Sequence, residues 1–271
     1  ISLANTGEPL YLVNRPANRP SHEGAAERFD QAVALVTHAG FRKVMLRGDT
    51  DFSQTKHLDR WNEQNVSFIF GFDNHPNLVT KADALPESAW TLLQRAPRYE
   101  VRTEPRTART NFKAAIVEAK EYRNLDLVKE EIAEFDYQPT ACKVTYRMVA
   151  LKKTINVERG QKTLYPEVRY FFYITNRRDL TAAEVVASAN DRCNQENLHA
   201  QLKGGVHALR APVGCLVSNW AYMVMTALAW SMKAWFALLL PISGRWGERY
   251  CEEQRLLLRM EFRTFLNQLI R

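Results

Sequence analysis

Apolar and polar positions follow different periods along this chain, and each change of period marks a boundary. Ile1-Ser2-Leu3 and Leu10-Tyr11-Leu12-Val13 flank Asn5-Thr6-Gly7-Glu8-Pro9, a strand, turn, strand pattern. Asn14 to Pro20 is a loop with two prolines. Ser21 is placed to cap a helix to about Ala39, with Phe29, Val33 and Val36 as its apolar stripe and Gly40 as its stop. Lys43-Val44-Met45-Leu46-Arg47 reads as a short strand ending at Gly48-Asp49-Thr50-Asp51-Phe52. Ser53 then starts a helix through Leu58 and Trp61. Val66-Ser67-Phe68-Ile69-Phe70 is nearly all apolar, as in a strand covered on both faces. Strands alternating with helices in this way predict an α/β sheet.

After Phe72 the texture changes. Cys142, Val144, Tyr146 and Met148 alternate with Lys143, Thr145 and Arg147, and Glu167 to Thr175 is a second strand rich in aromatics. The loop between them lies at Asn156 to Gln161, with Gly160. Arg98, Arg102, Arg106 and Arg109 crowd the stretch before them. Asp73 to Asn176 is therefore expected to be a mostly β insertion. Helices then return. Thr181 caps one that is expected to continue through Glu196 and Lys203 to Gly204-Gly205. A long apolar helix follows from about Leu216 to Leu240, ended by Pro241. A last helix begins near Glu252, with Leu258, Phe262, Phe265 and Leu269 as its buried stripe and Arg255, Arg259 and Arg263 as a basic one.

Two stretches carry candidate chemistry. At ~100° per helical residue, Glu196 lies about 40° from Arg192 and Lys203 about 20° from Glu196, which puts one acid between two cations on a single face. Leu198 and Leu202 point elsewhere and can anchor the helix. Such a face suits a metal ion held beside a phosphodiester, although a surface ion pair on a solvated helix has the same spacing. Asp49 follows a glycine just past a strand end, where reactive groups of open α/β sheets gather. A turn or cap role is its alternative, and Asp51 or Ser53 is the better-placed cap. His199 faces nearly the same way as Glu196.

Composition narrows the field. The 271 residues carry a formal charge of +7, which points to a polyanionic partner. Cys142, Cys193, Cys215 and Cys251 are too scattered for a zinc site, and a reducing cytoplasm is the simple inference. Ala211 to Met232 lacks charge, but its polar residues argue for a buried helix rather than a membrane span. The first residues show no basic start followed by an apolar run, so no signal peptide is expected.

Leu46-Arg47-Gly48-Asp49-Thr50-Asp51-Phe52 resembles the segment around the second catalytic aspartate of DDE transposases from bacterial insertion sequences. Arg192, Glu196 and Lys203 match the arginine, glutamate and lysine of the signature of their cut-and-paste group, and Ser218-Asn219-Trp220 through Trp235 resembles the helix after it. The signature tyrosine falls on Ala189, and Asp51 replaces a small residue. The resemblance implies an RNase-H-like mixed sheet with flanking helices, interrupted by the insertion and followed by C-terminal helices. Residues 1–72 and 177–245 would form the two parts of the catalytic domain, with a C-terminal helix over 246–271. It also implies two Mg²⁺ ions, with Mn²⁺ a possible substitute, bound by Asp49 and Glu196. Arg192 and Lys203 would hold DNA phosphates. The partners implied are double-stranded DNA at transposon ends, target DNA and a second copy in a homodimer, with no membrane. The first catalytic aspartate is expected upstream of Ile1, because Glu8 lies in a turn and Glu23 and Glu27 begin a helix. A remnant that binds DNA without cleaving it is the alternative.

Overall fold

The computed structural model describes residues 1–16, 18–95, 123–159, 161–162, 166–191 and 194–270. The chain forms two compact units, one of Met45–Ala189 and one of Ile1–Val44 with Asn190–Arg271.

The first unit is built on a seven-stranded sheet. Its strands are β1 (Met45–Gly48), β2 (Ser67–Phe72), β3 (Thr91–Leu92), β4 (Arg123–Tyr137), β5 (Tyr146–Arg159), β6 (Gln161–Lys162) and β7 (Glu167–Thr175). They run in the order β1-β2-β7-β5-β4-β3, with β6 beside β5. Parallel pairing sets Gly48 of β1 opposite Phe70 of β2, and antiparallel pairing sets Ile69 opposite Thr175 of β7. Strands contributed by residues 73–176 are thus hydrogen-bonded into one sheet with β1 and β2. Phe68, Ile69 and Phe70 are fully buried, as their unbroken apolar run requires. One face of β2 presents Phe68 and Phe70 to Trp61 and Tyr146. The other packs Ile69 with Val149, Leu151 and the helix residues Val185, Val186 and Ala189.

Among the described residues, three helices accompany this sheet in the unit: α2 (Leu58–Glu63), α3 (Pro76–Asp83) and α4 (Ala182–Asn190). α4 opens with the expected Thr181 cap, which Glu184 completes as a box. Thr181 Oγ1 accepts from Glu184 N at 3.2 Å, and Glu184 Oε2 accepts from Thr181 N at 2.7 Å. Asp59 fixes α2 to the sheet, accepting from Tyr146 Oη and Lys143 N at 2.6 Å each. Burial opposes ionisation of Asp59 most, but these donors together bring its pKa below the usual value.

The second unit begins with a turn in which Leu3 N donates to Glu8 O at 2.9 Å, and Ser2 and Pro9 form an isolated bridge. Helix α1 (Ala25–His38) follows, and after α4 come α5 (Asn194–Gly204), α6 (Leu216–Leu238), α7 (Gly247–Arg259) and α8 (Phe262–Phe265). Three indoles of α6 tie the opening turn down. Trp220 donates to Leu12 O at 2.6 Å, Trp230 to Gly7 O at 3.0 Å and Trp235 to Glu8 Oε1 at 2.5 Å. Leu198, Leu202, Ala227, Trp230, Phe262 and Phe265 form the core. No helix among the described residues is long and apolar enough to cross a membrane.

The mixed sheet, its flanking helices and the helices at the C-terminal end agree with the RNase-H-like fold expected. Several local expectations need correction. The helix expected from Ser53 is two single 3-10 turns, Thr50–Phe52 and Thr55–His57, before α2, because Gln54 between them is left-handed at φ 40°. α1 starts at Ala25 after left-handed Gly24 rather than at Ser21. The single helix expected through Glu196 is two helices, since α4 stops at Asn190. Asn190 and Asp191 are residues whose side chains compete for backbone partners. The last helix likewise breaks at the extended Met260, between α7 and α8.

Candidate active site

Asp49 sits one residue beyond β1, in extended backbone at φ −82° and ψ −169°, and its carbonyl accepts from Phe52 N at 3.1 Å. It opens the turn Thr50–Phe52 without a side-chain cap bond, and its Oδ1 is buried. Ser53 closes that turn instead of opening a helix. Two residues earlier, Arg47 Nη1 donates to Ser188 O at 3.1 Å, which ties β1 to the last turn of α4. The approach of this turn to β2 is close at two glycines. A Cβ at Gly48 would meet Phe52 Cβ at 2.8 Å, and one at Gly71 would meet Thr50 N at 3.0 Å.

Glu196 lies in the first turn of α5 and is exposed, as is Lys203 in its last turn. An acid at a helix start and a base at its end both suit the helix dipole. Seven residues rise about 10 Å with a rotation of about 20°, so the two charges share a face. Leu198 and Leu202, at 5% and 1% exposure, hold the opposite face in the core, as their spacing predicted. Gln201 clamps the helix end. Its backbone carbonyl accepts from Gly205 N at 2.7 Å, and its Oε1 accepts from Phe262 N at 3.1 Å. Burial chiefly, and then the amino group of Ile1, lower the His199 pKa, with Glu196 opposing.

Arg192 lies outside the described residues, as do Arg98, Arg102, Arg106, Arg109, Gly160 and Cys193. Asp49 belongs to the first compact unit, and Glu196 and Lys203 to the second. Within the first unit Trp90 is half-buried, with Lys152 Nζ 5.1 Å above its ring and Tyr170 6.0 Å away. Gly71 and Arg47 escaped the sequence reading. For Gly71 the only signal was a glycine at the end of an apolar strand.

The family described as transposase DDE domain, group 1, matches residues 3–258. The chain belongs to this transposase family. No curated protein matches it. For a DDE transposase domain the substrate class is DNA and the reaction class is transposition, chemistry for which the family generally uses divalent metal ions. The acid oxygens of Asp49 and Glu196 are hard donors of the type such ions prefer. Among the described residues of this DDE domain, however, no group of three or more His, Cys, Asp or Glu gathers as a metal cluster would.

Proposed function

We propose that this transposase cuts a phosphodiester at transposon ends and joins the freed 3′ hydroxyl to target DNA, with Asp49 and Glu196 as metal-binding acids. The observation that carries the reading is the place of Asp49, an acid with a buried oxygen at the carboxyl end of a sheet strand, in a DDE-family chain. Glu196 is the second acid, on a helix anchored by Leu198 and Leu202. The chemistry that two Mg²⁺ ions, or Mn²⁺ in their place, supply is activation of the attacking oxygen and stabilisation of the leaving one. Arg192 and Lys203 hold DNA phosphates on either side of Glu196.

The homodimer and the bacterial, nucleoid-associated cytoplasmic setting belong to the same reading. Val217, Val224, Met225, Leu228 and Met232 are all exposed and fall within about 100° of each other around α6. That face carries no charge, which supports a second copy as its occupant, because identical uncharged faces meet without like-charge repulsion.

The test is nicking of transposon-end DNA with Mg²⁺ by a chain extended upstream. Asp49→Asn and Glu196→Gln should each reduce the rate at least about a hundredfold, beyond the 10–100-fold typical of groups that only orient a ligand. DNA affinity in gel shift should be equal or higher. Undiminished nicking by either variant overturns its assignment, and an extended chain that binds but never nicks marks a remnant.

A further inference from the structure

Gly71 shows no left-handed backbone, so its conformation is open to any residue. The constraint is space. A Cβ there would stand 3.0 Å from Thr50 N, 3.2 Å from Asp49 C and 3.4 Å from Asp49 Cα. All three neighbours are main-chain atoms, which cannot swing aside as a side-chain tip does. The strand that carries Gly71 is equally fixed. Phe70 on one side and Phe72 on the other are buried, and Gly71 itself pairs with Tyr173 of β7. On the β1 side, a Cβ at Gly48 would meet Phe52 Cβ at 2.8 Å and Phe70 Cδ1 at 3.1 Å. The Asp49–Phe52 turn is therefore seated in a notch formed by two missing side chains on adjacent parallel strands.

We propose that Gly71 is a positioning residue for Asp49, setting the main chain that carries this carboxylate by leaving room for it against β2. The inference rests on the reading of Asp49 as a metal-binding acid. A methyl group at position 71 meets atoms that must give by a few tenths of an ångström, and the carboxylate moves with them. Displacements of about 1 Å in a reacting assembly cost on the order of a hundredfold, so a shift of this size should cost about tenfold.

The test compares Gly71→Ala with Gly214→Ala, where a Cβ meets nothing within 4 Å. In the 271-residue chain without metal, the amide NMR resonances of Asp49 and Thr50 should shift in Gly71→Ala and stay in place in Gly214→Ala. In the upstream-extended chain, Gly71→Ala should raise the Mg²⁺ concentration for half-maximal nicking about tenfold. DNA affinity should be unchanged, and Mn²⁺, less demanding of geometry, should restore the rate. Unmoved Asp49 and Thr50 resonances, or an unchanged Mg²⁺ requirement, overturn the proposal. If Gly71→Ala does not fold, Gly48→Ala presses the same turn through Phe52, and the same two resonances decide. Asp49→Asn in parallel separates the two levels. A variant that still nicks overturns the functional reading and the role of Gly71 with it. A dead Asp49→Asn beside an unaltered Gly71→Ala overturns the positioning role alone.

Discussion

Lys233 is fully buried on α6, where its Nζ donates to the carbonyls of Leu258 at 3.1 Å and Met260 at 2.6 Å and lies 4.3 Å above the Trp230 ring. These are carbonyls at the end of α7, where a cation is favoured. Burial nevertheless lowers its pKa from 10.5 to about 8. Between those values the unfolded chain keeps a proton that the folded chain has released. This residue therefore makes stability rise with pH across that window and leaves it flat below. Denaturation at about pH 7.5 and about pH 9.5 should show wild type gaining on the order of 1–2 kcal/mol relative to Lys233→Met. A difference independent of pH would contradict the buried lysine. In the sequence, Lys233 was visible only as an interruption of an apolar run, because the carbonyls that hold it come from another helix. Asp49 was legible, since a glycine and an acid just past a strand end are local features. Gly71 was not, because the backbone it admits lies more than twenty positions away.

At the scale of elements, α5 divides its work between two faces, and the faces can be separated by mutation. Leu202 is 1% exposed in the core of its unit, so Leu202→Ala should cost about 2–5 kcal/mol in chemical denaturation. Glu196 is exposed, and Glu196→Gln should stay within about 0.5 kcal/mol of wild type. Equal losses would mean that Glu196 serves the fold. α2 gives a second case. Tyr146→Phe removes the 2.6 Å bond to Asp59 and should destabilise by about 1.5–3 kcal/mol, as a hydrogen bond to a charged group does. The loss should shrink in acid as Asp59 protonates, because a carboxylate whose folded pKa is lowered contributes above its unfolded pKa and ceases to contribute as pH falls through the folded one. Elements with local signatures were legible: the Thr181 cap, the stripe of α5 and the aromatic strand Glu167–Thr175. The breaks at Gln54, Asn190 and Met260 were not. Those at Gln54 and Met260 depend on a backbone conformation that the surrounding apolar period does not encode.

For the whole molecule, strand periodicity identified sheet-forming segments but not their partners. Alternation in β5 gives inward and outward faces, yet nothing in it says that β7 will lie between β5 and β2. Charge, by contrast, is a whole-chain property read directly from composition, and it makes a prediction independent of strand order. With 37 basic against 30 acidic residues, the net charge is 37 − 30 = +7, so binding to DNA should release counterions. Affinity should fall steeply as salt rises, with a slope of about −0.9 for each phosphate neutralised. Lys203 is exposed, so it is free to contact one phosphate. Lys203→Ala should then weaken binding to all sequences alike and reduce the slope by about 1. Glu196→Gln should act in the opposite sense. Removing an anion from a surface that meets phosphates leaves DNA affinity equal or higher, even as metal affinity falls. Gel shifts of the 271-residue chain and both variants across a salt series distinguish these effects. A Lys203→Ala slope equal to that of wild type would remove Lys203 from the DNA contact. Weaker DNA binding by Glu196→Gln would mean that the acid supports the DNA-binding surface through the fold rather than through a metal.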